Sequence, residues 1–311
     1  MRIDQLRAFV RCAEVGSLSA AARAERLPKS TLSRLLRDLE ASLEVPLLNR
    51  SARGMVLTEE GALLLDRARR ILDDIDSTAA AIRPSVEGPS GVVRLTTPYT
   101  FGVTFVSPLI PGFLAAYPAI DIHIELTSRN VDLVAEGYDL AIRIGPPPPD
   151  VVARRLMGNV LGLCASPDYL ARRGTPKEPA DLKSHNLLLI GSPRAKASLR
   201  LWKSGSSQLI DSFPKLLSSD PAVIRRSALD GVGVGQIPLI IAGRELASGA
   251  LVRVLHDWTM PEVDISLIRP AGRPILPRVR AFADYIAERI AGAPGALAVK
   301  PRPGSSPRSA A

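Results

Sequence analysis

Lys29, Ser30, Thr31, Ser33 and Arg34 crowd the start of one predicted helix, directly after Pro28. Short hydroxyls beside cations suit base edges and phosphate oxygens. Arg37 continues the same face, and a second basic cluster follows at Asn49, Arg50, Ser51, Arg53 and Gly54. Residues 1 to 57 carry ten Lys or Arg against six Asp or Glu. Any one of these arginines could merely solvate a helical face. Helix, turn, basic helix and basic turn taken together point to nucleic acid.

The elements that must hold these residues follow from apolar spacing. Leu6, Phe9, Val10 and Ala13 recur at a helical period. Gly16 suits the C-terminal cap of that helix, and Ser17 or Ser19 the N-cap of a short helix through Ala20, Ala21 and Ala22. Pro28 marks a turn, because the residue before a proline is biased away from helix. From Lys29 onward Leu32, Leu35, Leu36, Leu39 and Leu43 form an apolar stripe, with Ser30, Ser33, Arg34 and Arg37 opposite. The basic turn and Met55 to Thr58 read as a wing of two short extended segments. A helix-turn-helix lays the start of its second helix on base edges in the major groove. Candidate contacts to double-stranded DNA are therefore Lys29, Ser30, Thr31, Ser33, Arg34 and Arg37 on the helix, with Arg50, Arg53 and Thr58 from the wing.

This segment resembles the winged helix-turn-helix of LysR-type transcriptional regulators. The matching residues are Leu6, Phe9, Gly16 to Ser19, Ala21, Ala22, Ser30, Ser33, Leu39, Glu40, Leu43, Leu47, Arg50, Leu57, Thr58 and Gly61. The strings LPKSTLSR and PLLNRSARG are similar to a subgroup that acts in virulence and aromatic-compound metabolism. Two residues depart from the pattern. Leu48 replaces a commoner Phe, a harmless change in size. Glu25 stands where the family has an apolar Leu. A buried, unpaired carboxylate is costly, so Glu25 is expected to reach solvent or a nearby Arg.

Thr58 to Arg83 is uninterrupted helix former, capped by Thr58 and stopped by Pro84. Leu64, Ala68, Ile71, Ile75, Ala79 and Ile82 line one face. That stripe suits packing against its copy in a second subunit; the alternative is packing within its own chain. The resemblance implies a homodimer through this helix, and a tetramer is expected beyond it.

After a short Gly-Pro-Ser linker the pattern alternates strand and helix, the rhythm of a mostly parallel sheet covered by helices. Two such lobes resemble the effector-binding domain of the same family, itself similar to periplasmic solute-binding proteins. The expected fold is thus an α+β multidomain chain. A winged helix-turn-helix occupies 1–60, a linker helix 61–84, and an effector-binding α/β domain 91–291. Its lobe I takes about 91–160 and 269–291, and lobe II 161–268. A disordered tail, 292–311, is rich in Pro, Gly, Ser and Ala.

Ligands of open α/β sheets sit outside the carboxyl ends of strands. That rule selects Thr97, Tyr99, Thr100, Ser128, Arg129 and Arg143 from lobe I, and Ser166, Gln236 and Pro238 from lobe II. Hydroxyls and an arginine favour an anionic or carbonyl-bearing effector. Arg129 and Arg143 serve equally well as partners of structural carboxylates, and the pattern leaves both readings open.

Other chemistry finds little support. Cys12 and Cys164 are too far apart in sequence for a disulfide framework, and His123, His185 and His256 have no ligand spacing. No metal, cofactor or catalytic residue is expected. Gly231, Gly233 and Gly235 superficially resemble a dinucleotide loop but lack a third glycine at the right spacing and the acid about 20 positions on. Tight packing explains them better. The net charge of +9 and pI near 10.0 fit an anionic partner. No signal peptide or spanning apolar run is visible, so a soluble, cytoplasmic protein without a membrane partner is expected. A small-molecule binding protein without DNA function is the alternative reading.

Overall fold

The computed structural model describes residues 1–51, 54–82, 88–192, 199–211, 213–272 and 274–291. The chain forms two compact units, Met1–Val92 and Val93–Ala311. The expected tail, 292–311, lies outside the described residues.

The first unit runs α1 (Ile3–Val15), α2 (Leu18–Ala24), α3 (Lys29–Leu43), β1 (Leu48–Ser51), β2 (Gly54–Leu57) and α4 (Glu59–Ile82). Gly16 ends α1 at φ +66, where a side chain would be strained, and its N–H reaches Cys12 O at 3.0 Å. Ser17 then caps α2 through the Ala20 N–H. Leu6, Phe9, Ala21, Leu32, Leu36, Leu39 and Leu47 fill the core between the helices. Glu25 is neither buried alone nor disruptive. It closes the end of α2, accepts a 2.7 Å hydrogen bond from Arg11 Nε, and keeps 27% of its side chain exposed.

Several bonds converge on the loop that joins α3 to the wing. Glu40 Oε1 accepts from the Leu47 N–H at 2.8 Å and the Leu48 N–H at 3.2 Å. Leu47 O accepts from the Thr58 N–H at 3.1 Å. The Thr58 hydroxyl donates to Pro46 O at 2.8 Å and accepts from the Gly61 N–H at 2.9 Å. A Cβ on Gly61 would stand 2.0 Å from Leu47 O.

The apolar face of α4 divides its work. Leu64 and Ala68, expected to meet a second subunit, instead join Leu65 and Leu72 in the core of their own unit. The reason is that α4 lies against α1 over its first turns. Leu63 (66% exposed) and Ile71 (38%) point outward. Ile75 is half-buried, and the side chains of Ala79 and Ile82 lie outside the described residues.

The second unit holds two five-stranded sheets. The first is built from β3 (Gly91–Thr97), β4 (Ile120–Leu126), β5 (Leu140–Ile144), β6 (Val151–Asn159) and a strand returning late in the chain, β14 (Val263–Pro270). Its order is β4-β3-β5-β14-β6. The second contains β7 (Leu161–Ala165), β8 (Leu187–Ile190), β11 (Leu216–Ser218), β12 (Val234–Pro238) and β13 (Val252–Val254), in the order β11-β8-β12-β7-β13. A separate hairpin pairs β9 (Leu199–Lys203) with β10 (Ser206–Ile210). The sheets are mixed rather than mostly parallel. β3 and β5 run parallel, whereas β14 is antiparallel to both β5 and β6. Likewise β7 is antiparallel to β12 and β13. Strands that cross from one lobe to the other arrive in the opposite sense to strands wound within a lobe. For the same reason the chain rejoins the first sheet at Val263, ahead of the expected boundary at 269.

Helices cover these sheets. Tyr99–Phe101 (α5) continues through a π-turn at Gly102–Val106 and a 3₁₀ turn at Ser107–Leu109 into α6 (Ile110–Ala116). Pro108 and Pro111 account for the irregularity, since each lacks the N–H that a regular helix needs. Among the described residues this 18-residue stretch is long and apolar enough to cross a membrane, with mean hydropathy 1.4. Its Phe101, Val106 and Phe113 are instead buried in the first sheet's core. Short helices follow at α7 (Leu133–Glu136), α8 (Pro167–Arg173), α9 (Pro221–Leu229) and α10 (Gly243–Ala247), and α11 (Pro277–Ala291) returns to the first lobe. In α11, Val279, Phe282, Ile286 and Ile290 face the sheet at steps of three or four. The glycine run packs as expected: a Cβ on Gly233 would fall 2.2 Å from Asn186 O, and Gly235 lies under Ile224 and Ala228 of α9.

Gly61→Ala discriminates between propensity and packing. Helix propensity alone makes it stabilising by about 1 kcal/mol. The contact with Leu47 O makes it destabilising by about 1–3 kcal/mol, read as a lower Tm in thermal unfolding. A raised Tm contradicts the close approach.

Candidate functional site

The start of α3 presents a polar face. Pro28 sets the turn at φ −58, and its carbonyl accepts the Thr31 and Leu32 N–H groups. Leu32, Leu35, Leu36 and Leu39 are pulled into the core. That burial turns Lys29, Ser30, Arg34 and Arg37 outward, with Thr31 and Ser33 half-buried beside them. Arg37 Nε leans back on Ser33 O at 3.4 Å. Positions 30, 33, 34 and 37 share one helical face.

The wing is an antiparallel pair in which Arg50 faces Met55 and Ser51 faces Gly54. It is held beside its turn by the Met55 N–H, which donates to Gly16 O at 2.8 Å. A Cβ on Gly54 would come within 2.7 Å of that same oxygen, and φ there is +123, so the position calls for glycine twice over. Arg53 and the side chain of Arg50 lie outside the described residues. Thr58 departs from its expected role. Its hydroxyl both donates and accepts within the chain, so it acts as a helix cap and not as a free group of the reading face.

A cavity of about 300 Å³ opens between the two sheets of the second unit. Of the nine residues expected there, Thr100, Ser128, Arg143 and Pro238 line it. Tyr99 and Arg129 line an open depression that shares Ser128, Ser219 and Asp220 with it. Arg129 is engaged by Glu136 and, at 3.8 Å, by Glu125, so it serves a surface ion pair. Thr97, Ser166 and Gln236 belong to the frame. Thr97 O accepts the Thr127 N–H, Ser166 caps α8, and Gln236 Oε1 accepts the Ile190 N–H at 3.1 Å.

Three polar residues and an apolar wall were not anticipated there. Asn159, Ser219 and Asp220 line the cavity together with Phe101, Phe105, Ile190 and Ile240. Asp220 had a signal, since it precedes Pro221 as a helix N-cap and accepts the Ala222 N–H at 2.8 Å. The same oxygen accepts the Thr100 hydroxyl at 2.5 Å, a bond that spans the two lobes. Asn159, at the end of β6, carries no sequence signal. Arg143 donates through Nη1 to Ile142 O at 3.0 Å, and burial pulls its guanidinium below its ordinary pKa.

Elsewhere the thiols are buried. Burial raises Cys164 to about 11, which leaves it protonated and unreactive. Among the described residues no group of three or more His, Cys, Asp or Glu is placed to hold a metal ion.

Both units match known families. Residues 3–62 match the bacterial regulatory helix-turn-helix protein, lysR family, and residues 87–291 match the LysR substrate binding domain. An HTH-type transcriptional regulator of Xanthomonas campestris pv. campestris is 35% identical over 91% of this chain and 83% of its own length. The regulator PtxR of Pseudomonas aeruginosa is 34% identical over 96% of each chain. Among solved structures, the full-length Vibrio cholerae virulence activator AphB is similar at 27% identity and TM-score 0.58, covering 93% of this chain and 99% of that one. CrgA of Neisseria meningitidis is similar at 27% identity and TM-score 0.60, over the same shares. Matches over both units disfavour a binding protein without DNA function. The chain belongs to the LysR family of bacterial transcriptional regulators, DNA-binding proteins that carry an effector-binding domain.

Proposed function

We propose that α3 enters the major groove of promoter DNA, with Lys29, Ser30, Thr31, Ser33, Arg34 and Arg37 on base edges and phosphates and the wing arginines, Arg50 and Arg53, on the flanking backbone. The observation that carries this reading is the single polar face at 30, 33, 34 and 37, opposite leucines buried in the core. In this reading residues 1–60 are the reading head, 61–84 the linker, and 91–291 the effector domain, and the cavity bearing Thr100, Ser128, Arg143 and Pro238 takes the effector. The protein acts in the cytoplasm, where promoter DNA is. Outward Leu63 and Ile71 support pairing through α4, so that two heads reach half-sites roughly one helical turn apart.

The promoter fragment adjoining the protein's own gene is the test substrate. Full-length protein binds it specifically, with affinity falling steeply as salt rises. Absence of any sequence preference overturns the proposal. Arg34→Ala lowers affinity about tenfold and flattens the salt slope by about one unit. An unchanged slope removes Arg34 from the phosphate contacts.

Pairing has its own readout. Leu63→Glu combined with Ile71→Glu shifts the protein toward monomer in sedimentation velocity and weakens binding to a two-half-site fragment. An unaltered sedimentation coefficient assigns α4's outer face to solvent.

A further inference from the structure

Two atoms of cavity-lining residues are buried without a hydrogen-bond partner: Arg143 Nη2 and Asn159 Oδ1. Asn159 is only 4% exposed. A buried polar atom left unpaired destabilises the fold, and neither atom finds a partner within the chain. Their chemistry is opposite. Arg143 offers a cationic N–H and wants an anion's oxygen. Asn159 offers an oxygen and wants a donor. The carboxylate of Asp220 adds a second acceptor from the other lobe. The remaining wall is dominated by Phe101, Phe105, Ile190 and Ile240. A plain carboxylate would pair with Arg143 but leave Asn159 unmet and place its charge near Asp220. A plain alcohol or amine would leave the guanidinium unmet.

Resting on the reading of this cavity as the effector site, we propose that the effector is a small carboxylate carrying its own hydrogen-bond donor on an apolar body, the carboxylate on Arg143 and the donor on Asn159. At about 300 Å³ the cavity sits at the small end of ligand pockets, which restricts the body to about one ring.

Calorimetry on the full-length protein tests this with mandelate and 3-phenyllactate, against phenylacetate, which lacks the hydroxyl, and 2-phenylethanol, which lacks the carboxylate. At least one hydroxy acid binds about tenfold more tightly than both controls. Asn159→Leu erases the advantage over phenylacetate, and Arg143→Met erases the advantage over 2-phenylethanol. Equal affinities, an advantage that survives Asn159→Leu, or no binding by either hydroxy acid at about 10 mM overturns the proposal. A second readout needs no ligand. Removing an unmet polar atom raises the Tm of ligand-free Asn159→Leu by about 2 °C or more. A lowered or unchanged Tm makes the amide structural and overturns the proposal as well. Binding of ligand-free protein to the promoter fragment is measured separately. Its failure removes the DNA-reading proposal and leaves the calorimetric result standing.

Discussion

The peptide around Leu47 is the constraint on which the reading head depends. Its N–H is held by Glu40 of α3, and its carbonyl is held by the Thr58 N–H at the start of α4. Gly61 lets α4 pass so closely that no side chain fits between them. The helix α3, the wing and α4 thus meet at one residue, itself almost wholly buried. A charged acceptor shared by two N–H groups is stronger than two neutral bonds. It also fixes direction, because both N–H groups must point at one oxygen. The polar face of α3 owes its outward aim to the leucines beneath it, but its position relative to the wing is set by this junction. The Met55 N–H bond to Gly16 O repeats the device on the wing's second strand.

The second unit solves a different problem. Two sheets that share a chain need strands that cross between them, and those strands run against the local direction. β14 is the clearest case: it enters the first sheet between β5 and β6, antiparallel to both. Val263 pairs there with Asn159, the last residue before the chain leaves for the second lobe. The crossover therefore brings Asn159 and Val263 together at the cavity wall, next to Arg143 on the neighbouring part of the sheet. Val263, its strand partner, is apolar and offers no donor to the side-chain oxygen of Asn159. That is how an unmet acceptor survives in an otherwise well-bonded sheet.

Legibility in the sequence followed the range of the forces involved. The three head helices, Gly16, Pro28 and the buried leucines of α3 were readable because spacing and caps act within a few residues. The alternation of strand and helix in the second unit was readable for the same reason. Thr58 was read as both cap and contact, and only three-dimensional bonds to Pro46 and Gly61 show that its hydroxyl is consumed. Leu64 and Ala68 sat on a genuine apolar stripe, yet periodicity cannot say what covers a stripe; α1 does. In the cavity, Thr100 and Arg143 were found by the strand-end rule, whereas Thr97 and Ser166 obeyed the rule and turned into the frame. Asn159 and the pairing of Thr100 with Asp220, 120 residues apart, depend on contacts no local pattern encodes.

The division of the cavity between lobes bears on how a ligand could control anything. A ligand shifts an equilibrium only by its differential affinity for two arrangements. Arg143 and Asn159 stand on β5 and β6 of one sheet, so bonds to them are made equally whether the lobes are near or apart. Such bonds fix affinity and orientation. The differential part must come from the opposite wall, from Ile190, Asp220 and Pro238. There the ligand competes with a bond already present, since Asp220 Oδ1 holds the Thr100 hydroxyl across the gap. Only a ligand that also engages Asp220 could favour one spacing of the lobes over another. One that stopped at Arg143 and Asn159 would have no such differential contact.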